Sequence, residues 1–155
     1  MGIFTQKTEY NLNKYLSPDS FAKLPELIYK YTDLDYSYQK KNEGCSLYPL
    51  FDNMSRRNAF VPEIDITVSA EDYPYVVRIS GRPVKIVRGF MLLWFVFSLF
   101  GELLVIADIF TSESYNLLTL LGPVTLCVLG FAVCRLFTKA CFDAVVKVIK
   151  NEFLR

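Results

Sequence analysis

Hydrophobic and polar positions divide this chain into two regimes. From Gly89 to Phe110 and from Leu117 to Phe137 the residues are almost continuously apolar, and only a short acidic connection separates the two runs. About 20 helical residues at 1.5 Å each cross the ~30 Å hydrocarbon layer of a bilayer, and a helix pairs its own backbone polar groups so that lipid can solvate it. The pattern predicts a transmembrane hairpin over 83–137, with spans at about 89–110 and 117–137.

Upstream, the apolar positions are shorter and periodic. Ser17-Pro18-Asp19 is a helix start, since Ser is a favoured N-cap and Pro fits the first helical position. Phe21, Leu24, Leu27, Ile28 and Tyr31 then recur at helical spacing, predicting a helix from Pro18 to about Tyr31 that Pro25 kinks or splits. Thr32–Gly44 is polar and reads as a surface connection, while Ile3–Leu12 alternates too loosely for more than a candidate strand. Cys45–Phe51, Phe60–Val68 and Tyr75–Ser80 are rich in β-branched and aromatic residues and read as strands. Within Ile64-Asp65-Ile66-Thr67-Val68 the apolar positions alternate, which makes one face core and the other wet. The expectation is an α+β domain over 1–82, one helix on a short antiparallel β meander.

Gly81-Arg82-Pro83 is read as the end of the last strand, with Pro83 opening the helix that enters the membrane. After Phe137, Cys141, Phe142, Val145, Val146, Ile149 and Phe153 fall on one side of a helix, with Lys139, Asp143, Lys147 and Lys150 largely opposite. Residues 138–155 are thus predicted to be an amphipathic tail helix.

Charge sets the expected orientation. Arg78, Arg82, Lys85 and Arg88 precede the first span and Arg135, Lys139, Lys147, Lys150 and Arg155 lie at or after the end of the second, whereas the connecting loop has no Lys or Arg. The positive-inside rule then places both termini in the cytoplasm of an inner-membrane protein, with lipid as its first partner. No apolar run follows Met1, so the first span is expected to act as its own insertion signal. Lysine plus arginine number 17 against 16 acidic residues, net +1, which argues against nucleic acid as the main partner, since such binders usually carry a strongly basic face.

The chemistry-bearing residues are few. There is no histidine and no C-x-x-C pair, so neither a His-dependent triad nor a zinc site is expected, and no cofactor is implied. With no nucleophile, acid/base pair or metal set gathered by the sequence, the chain reads as non-catalytic. Cys45, Cys127, Cys134 and Cys141 are expected to be free thiols. Cys127, Cys134 and Cys141 recur every seven residues with Gly130 and Thr138 between them, a small-residue stripe that reads as a helix-packing seam. Trp94, Ser98, Gly101 and Val105 form the matching stripe on the first span; redox sensing or palmitoylation at Cys141 is the alternative. Glu102 is the acidic residue well inside an apolar run, at an insertion cost of about 2.5–3.5 kcal/mol at a helix centre. It is either a buried contact or ion-pathway residue, or a residue near the outer headgroups; Asp108 and Glu113 nearby favour the second reading.

Arg56-Arg57-Asn58-Ala59-Phe60-Val61-Pro62 combines a basic pair, an amide, an aromatic and a proline. It reads either as a strand entry, with Pro62 at an edge and Asn58 bonding its own turn, or as a contact for lipid headgroups or an acidic partner. Lys85 and Arg88 join the second reading, since both can snorkel toward lipid phosphates.

Together with Leu16-Ser17-Pro18 and Phe90-Met91-Leu92-Leu93-Trp94-Phe95, the Arg57-Asn58-Ala59-Phe60-Val61-Pro62 segment resembles a group of small bacterial membrane proteins abundant in Bacteroidetes-like genomes, whose members carry Arg-Asn-Ser-Phe-x-Pro before a strand pair and two spans. The resemblance covers about 15–155 in layout; Ala59 replaces the usual Ser, and Arg82-Pro83 stands where a His-Pro pair is usual. It implies the two-span architecture and carries no activity. The functional expectation is a non-catalytic membrane protein whose cytoplasmic module docks a protein or lipid partner at the bilayer surface, as an immunity or regulatory protein would. The alternative is a small homo-oligomeric pore or transporter accessory subunit built around Glu102.

Overall fold

The computed structural model describes residues 5–13, 15–50, 60–69, 73–111 and 117–154. Strand-forming runs pair into one five-stranded antiparallel sheet. Its strands are β1 (Gln6–Leu12), β2 (Tyr36–Lys41), β3 (Gly44–Pro49), β4 (Pro62–Val68) and β5 (Tyr75–Pro83), in the order β1-β5-β4-β3-β2. The α+β mixture expected from the pattern is present, with α1 (Leu24–Thr32), α2 (Lys85–Thr111) and α3 (Leu117–Phe153). Both α2 and α3 are long and apolar enough to cross a membrane.

Register follows from the period-2 alternation. Thr8, Ile79, Ile66, Cys45 and Lys40 stand in one cross-strand row, and Lys7, Ser80, Asp65, Ser46 and Gln39 in the next. The first row belongs to the face that carries the core and the second to the polar face. A two-residue turn joins β2 to β3 at Gly44, where a Cβ would fall on the carbonyl oxygen of Ile66; only glycine permits that approach.

One compact unit contains the sheet, α1 and the last part of α3, comprising Met1–Val84 with Phe137–Arg155. Its core gathers Phe21, Leu24 and Ile28 with Leu47, Ile64, Ile66, Val77 and Ile79 from the strands and Phe142, Val145 and Ile149 from α3. Each such side chain contributes about 1.5–3 kcal/mol by leaving water. The apolar stripe expected on the tail at 138–155 is therefore part of the sheet's own core. Phe153 packs on Phe21 with ring centroids 5.4 Å apart, and the Tyr38 hydroxyl donates to the Pro18 carbonyl at 2.9 Å, tying β2 to the turn before α1.

The structure departs from the pattern in places. The predicted helix over Pro18–Tyr31 is two pieces, a 3-10 turn at Pro18–Phe21 and then α1. Pro25 lies in the first turn of α1, where its missing N–H has no helical acceptor to lose. At the other end Asp33 is left-handed, with φ 58°, and its N–H closes the helix on the Tyr29 carbonyl at 3.0 Å. The stretch 32–44, read as a connection, contains β2. Gly81-Arg82-Pro83 continues β5 instead of ending it, because Gly81 and Arg82 pair with Ile64 and Glu63 and Pro83 stands opposite Pro62. Pro83 closes the strand, and α2 begins at Lys85.

The second unit, Lys85–Leu136, is the helical hairpin. A Cβ on Gly130 would lie 2.8 Å from Trp94 Nε1, and one on Gly101 would lie 3.7 Å from Pro123 Cγ, so the two glycines mark where α2 and α3 pack. Phe95 meets Phe131 edge-to-face at 6.3 Å. Away from this seam the unit turns apolar side chains outward: Leu92 is 67% exposed, Phe97 65% and Leu136 66%.

In the first unit Gly81 is filled against by Phe142, whose ring carbons occupy the place of a Cβ. Gly81→Ala is expected to destabilise the unit by about 1–3 kcal/mol through overpacking. Adding Phe142→Leu should recover part of that loss, so that in chemical denaturation of the full chain the double variant costs less than the two single ones together. Strict additivity would refute the contact.

Candidate functional site

Two polar constellations stand out, one in each unit. On the polar face of the sheet, Asp65 in β4 receives hydrogen bonds from β2 and β3 and an ion pair from β5. Lys41 Nζ donates to Asp65 Oδ1 at 2.7 Å, the Ser46 hydroxyl donates to the same oxygen, and Arg82 Nη2 lies 3.8 Å from Oδ2. Arg82 Nε also donates to Glu63 Oε2 at 2.9 Å, directly across the β4–β5 pair. One strand further, Arg78 Nε meets Glu9 Oε1 at 3.1 Å, again between directly opposed residues. Burial pushes the Asp65 carboxyl up, but the hydrogen bonds from Lys41 and Ser46 and the charges of Lys41 and Arg82 outweigh it and hold the group below the usual carboxylate range.

This arrangement organises charge. With two donors on one carboxylate oxygen and the Arg82 guanidinium beside the other, Asp65 is held as an anion. On the opposite face Cys45 is buried, and burial, with the Asp65 charge, pushes its thiol up to about 12; such a thiol is unreactive near neutral pH. Burial also raises Tyr36, whose hydroxyl donates to the Pro62 carbonyl at 3.1 Å. A cleft of about 520 Å³ opens beside α1, lined by Tyr31, Thr32, Lys147, Asn151 and Glu152 among others. All four cysteines are thiols, and among the described residues no three Cys, Asp or Glu side chains gather as a metal-binding group.

The residues expected from sequence are placed as follows. Arg56, Arg57 and Asn58 lie outside the described residues. Phe60 stacks on Phe137 at 5.7 Å with rings 20° apart, and Pro62 opens β4, where a strand tolerates proline at its first residue. Lys85 and Arg88 are exposed in the first turns of α2. In the hairpin, Trp94 lies on Gly130 and its indole N–H donates to the Leu126 carbonyl at 3.4 Å. Cys134 is buried. Ser98, Glu102, Pro123 and Cys127 line one apolar cleft of about 190 Å³ between α2 and α3, with Gly101 next to Pro123 at its edge. Glu102 Oε2 is enclosed there with no hydrogen-bond donor.

Sequence reasoning missed the Asp65 constellation. Its one signal was the acidic residue flanked by Ile64 and Ile66, which marks a polar face without naming the partners that β2, β3 and β5 bring. No protein-family model, curated protein or solved structure matches the chain.

The lowered Asp65 pKa fixes a sign. Its contribution to stability is fully present above the ordinary aspartate value of about 3.9 and is lost as pH falls through the lower folded value. Asp65→Asn is expected to cost about 1 kcal/mol at pH 7, and the gap between wild type and variant should begin to narrow as pH falls below about 4. A gap that stays constant as pH is lowered from 7 through that point, in denaturant titrations of the full chain, would contradict the ion-pair account.

Proposed function

We propose that the chain is a membrane-anchored, non-catalytic binding module: a two-span hairpin in the inner membrane carrying a cytoplasmic α+β unit that docks a partner at the bilayer face. The observation that carries this reading is the outward apolar surface of the hairpin unit, where residues such as Leu92, Phe97 and Leu136 are about two-thirds exposed. Water would penalise that surface by roughly 25 cal/mol per Å², and a contiguous apolar surface of this kind marks a membrane or an interface. Hydrocarbon fits the rest of the pattern, because Lys85 and Arg88 stand at the start of α2 and no Lys or Arg follows until Arg135.

The globular unit supports binding over catalysis. Its sheet acids Glu9, Glu63 and Asp65 are paired with cations across strands, its buried thiol Cys45 is pushed out of the reactive range, and its polar face presents alternating charge from Lys7, Glu9, Arg78 and Arg82. Such a face recognises a protein by charge complementarity. A toxin neutralised at the membrane or a regulated membrane protein is the partner class that suits a small anchored module. The likeness to the two-span bacterial group supports the same architecture.

The full chain, expressed in a bacterium, should stay in the membrane pellet after alkaline carbonate washing. A Ser114→Cys variant should react with a membrane-impermeant maleimide in intact cells, and a C-terminal tag should resist external protease until the cells are opened. Release by carbonate would refute the anchor; maleimide labelling only after lysis would refute the orientation.

A further inference from the structure

The hairpin unit contains one polar group whose bonding is unfinished. Glu102 lies on the side of α2 that faces α3, in the cleft with Ser98, Leu99, Pro123 and Cys127, and its Oε2 is enclosed without a donor. A carboxyl oxygen taken out of water without a hydrogen bond costs several kcal/mol in hydrocarbon. Nothing else in the hairpin can supply a charge at that level. The packing of Trp94 on Gly130 and of Gly101 on Pro123 fixes the register of the two helices. That register sets Arg135 level with Gly89, about 20 Å along the axis from Glu102. Glu102 is likewise about 20 Å beyond Arg88, roughly two-thirds of the way across a ~30 Å layer.

In the same register a second copy supplies no cation at this depth. A copy inserted in the same orientation brings its own Glu102 to this depth and its arginines to the opposite side of the layer. A cation at this depth would have to come from a different chain. We infer that Glu102 is the recognition point for a transmembrane helix of a different protein, one that carries a Lys or Arg side chain at this depth and lays it into the cleft between α2 and α3. Intramembrane acidic residues pair with cations in this way. Charge complementarity selects the occupant, and the apolar walls supply the packing. The inference rests on the membrane reading given above and adds the class of partner and the residue that selects it.

The test uses the full chain in bacterial inner membranes, with a fluorescent protein on its cytoplasmic C-terminus. The probe is a single-span Leu/Ala helix, oriented by basic cytoplasmic flanks and labelled at its cytoplasmic end, with one Lys two-thirds of the way across. Energy transfer should show this probe associating roughly tenfold more tightly than the same helix with Leu at that position, and more tightly than a helix with its Lys one-third of the way across. Glu102→Gln should abolish the difference, and Glu102→Lys should transfer the preference to a probe bearing Glu. Equal association of the Lys and Leu probes overturns the inference, as does a Lys preference that survives Glu102→Gln. Self-association of the full chain that depends on Glu102 overturns it too, by assigning the site to a second copy. Release of the chain by carbonate is a separate result, which removes the anchor itself.

Discussion

The apolar face of the sheet has to be covered, and part of its cover arrives late in the chain. Phe142, Val145 and Ile149 sit in the same core as Leu47, Ile64, Ile66 and Ile79, yet the whole hairpin, Lys85–Leu136, is threaded between β5 and these residues. The five strands and α1 by themselves leave that part of the core open to water. Closing it requires contacts between residues more than fifty positions apart in sequence, with a loop-closure cost that rises only logarithmically with length. The two units are therefore coupled through the chain, because the globular unit is complete only once the polypeptide has run out through α2 and back through α3.

That coupling explains why α3 is 37 residues long, about 55 Å, when a ~30 Å layer needs only about 20. One helix carries two surface patterns. Its leading part presents leucines and valines outward, as in Leu126, Val128 and Leu129, whereas its trailing part reverts to a one-sided stripe buried on the sheet. The change in pattern comes near Phe137, where Lys139, Asp143 and Lys147 begin to occupy the outer positions. Amphipathicity at helical period is what a sheet demands of its cover, and uniform apolarity is what lipid permits.

How far the sequence disclosed this depended on how local each signal was. The long apolar runs and the alternation in β4 were legible because each is written in consecutive residues. β2 was not, since Tyr-Ser-Tyr-Gln-Lys-Lys is an edge strand whose inward positions are tyrosines and a lysine, without the β-branched residues that mark strands. The end of β5 was misread because Gly-Arg-Pro has turn composition, and only its pairing opposite Glu63 and Pro62 keeps it extended. Most of all, the partners of Asp65 were invisible. Lys41, Ser46 and Arg82 come from three other strands, and cross-strand register is set by the whole sheet.

Asp65 and Glu102 show how one functional group acquires opposite roles from its surroundings. Both are acids flanked by apolar residues, in Ile64-Asp65-Ile66 and in Gly101-Glu102-Leu103. Beside Asp65 the neighbouring strands deliver a lysine, a hydroxyl and a guanidinium, and the acid becomes an internal clasp of the sheet. Beside Glu102 the neighbouring helix delivers Pro123, which has no N–H to give, and Cys127, whose thiol is a weak donor. A strand pair places a new side chain opposite every residue and can saturate an acid from several sides. A pair of helices meets only along a narrow seam, and among the described residues this one brings no donor within hydrogen-bond reach of Glu102 Oε2. The hairpin's own geometry is thus what leaves the Glu102 Oε2 without a donor among the described residues.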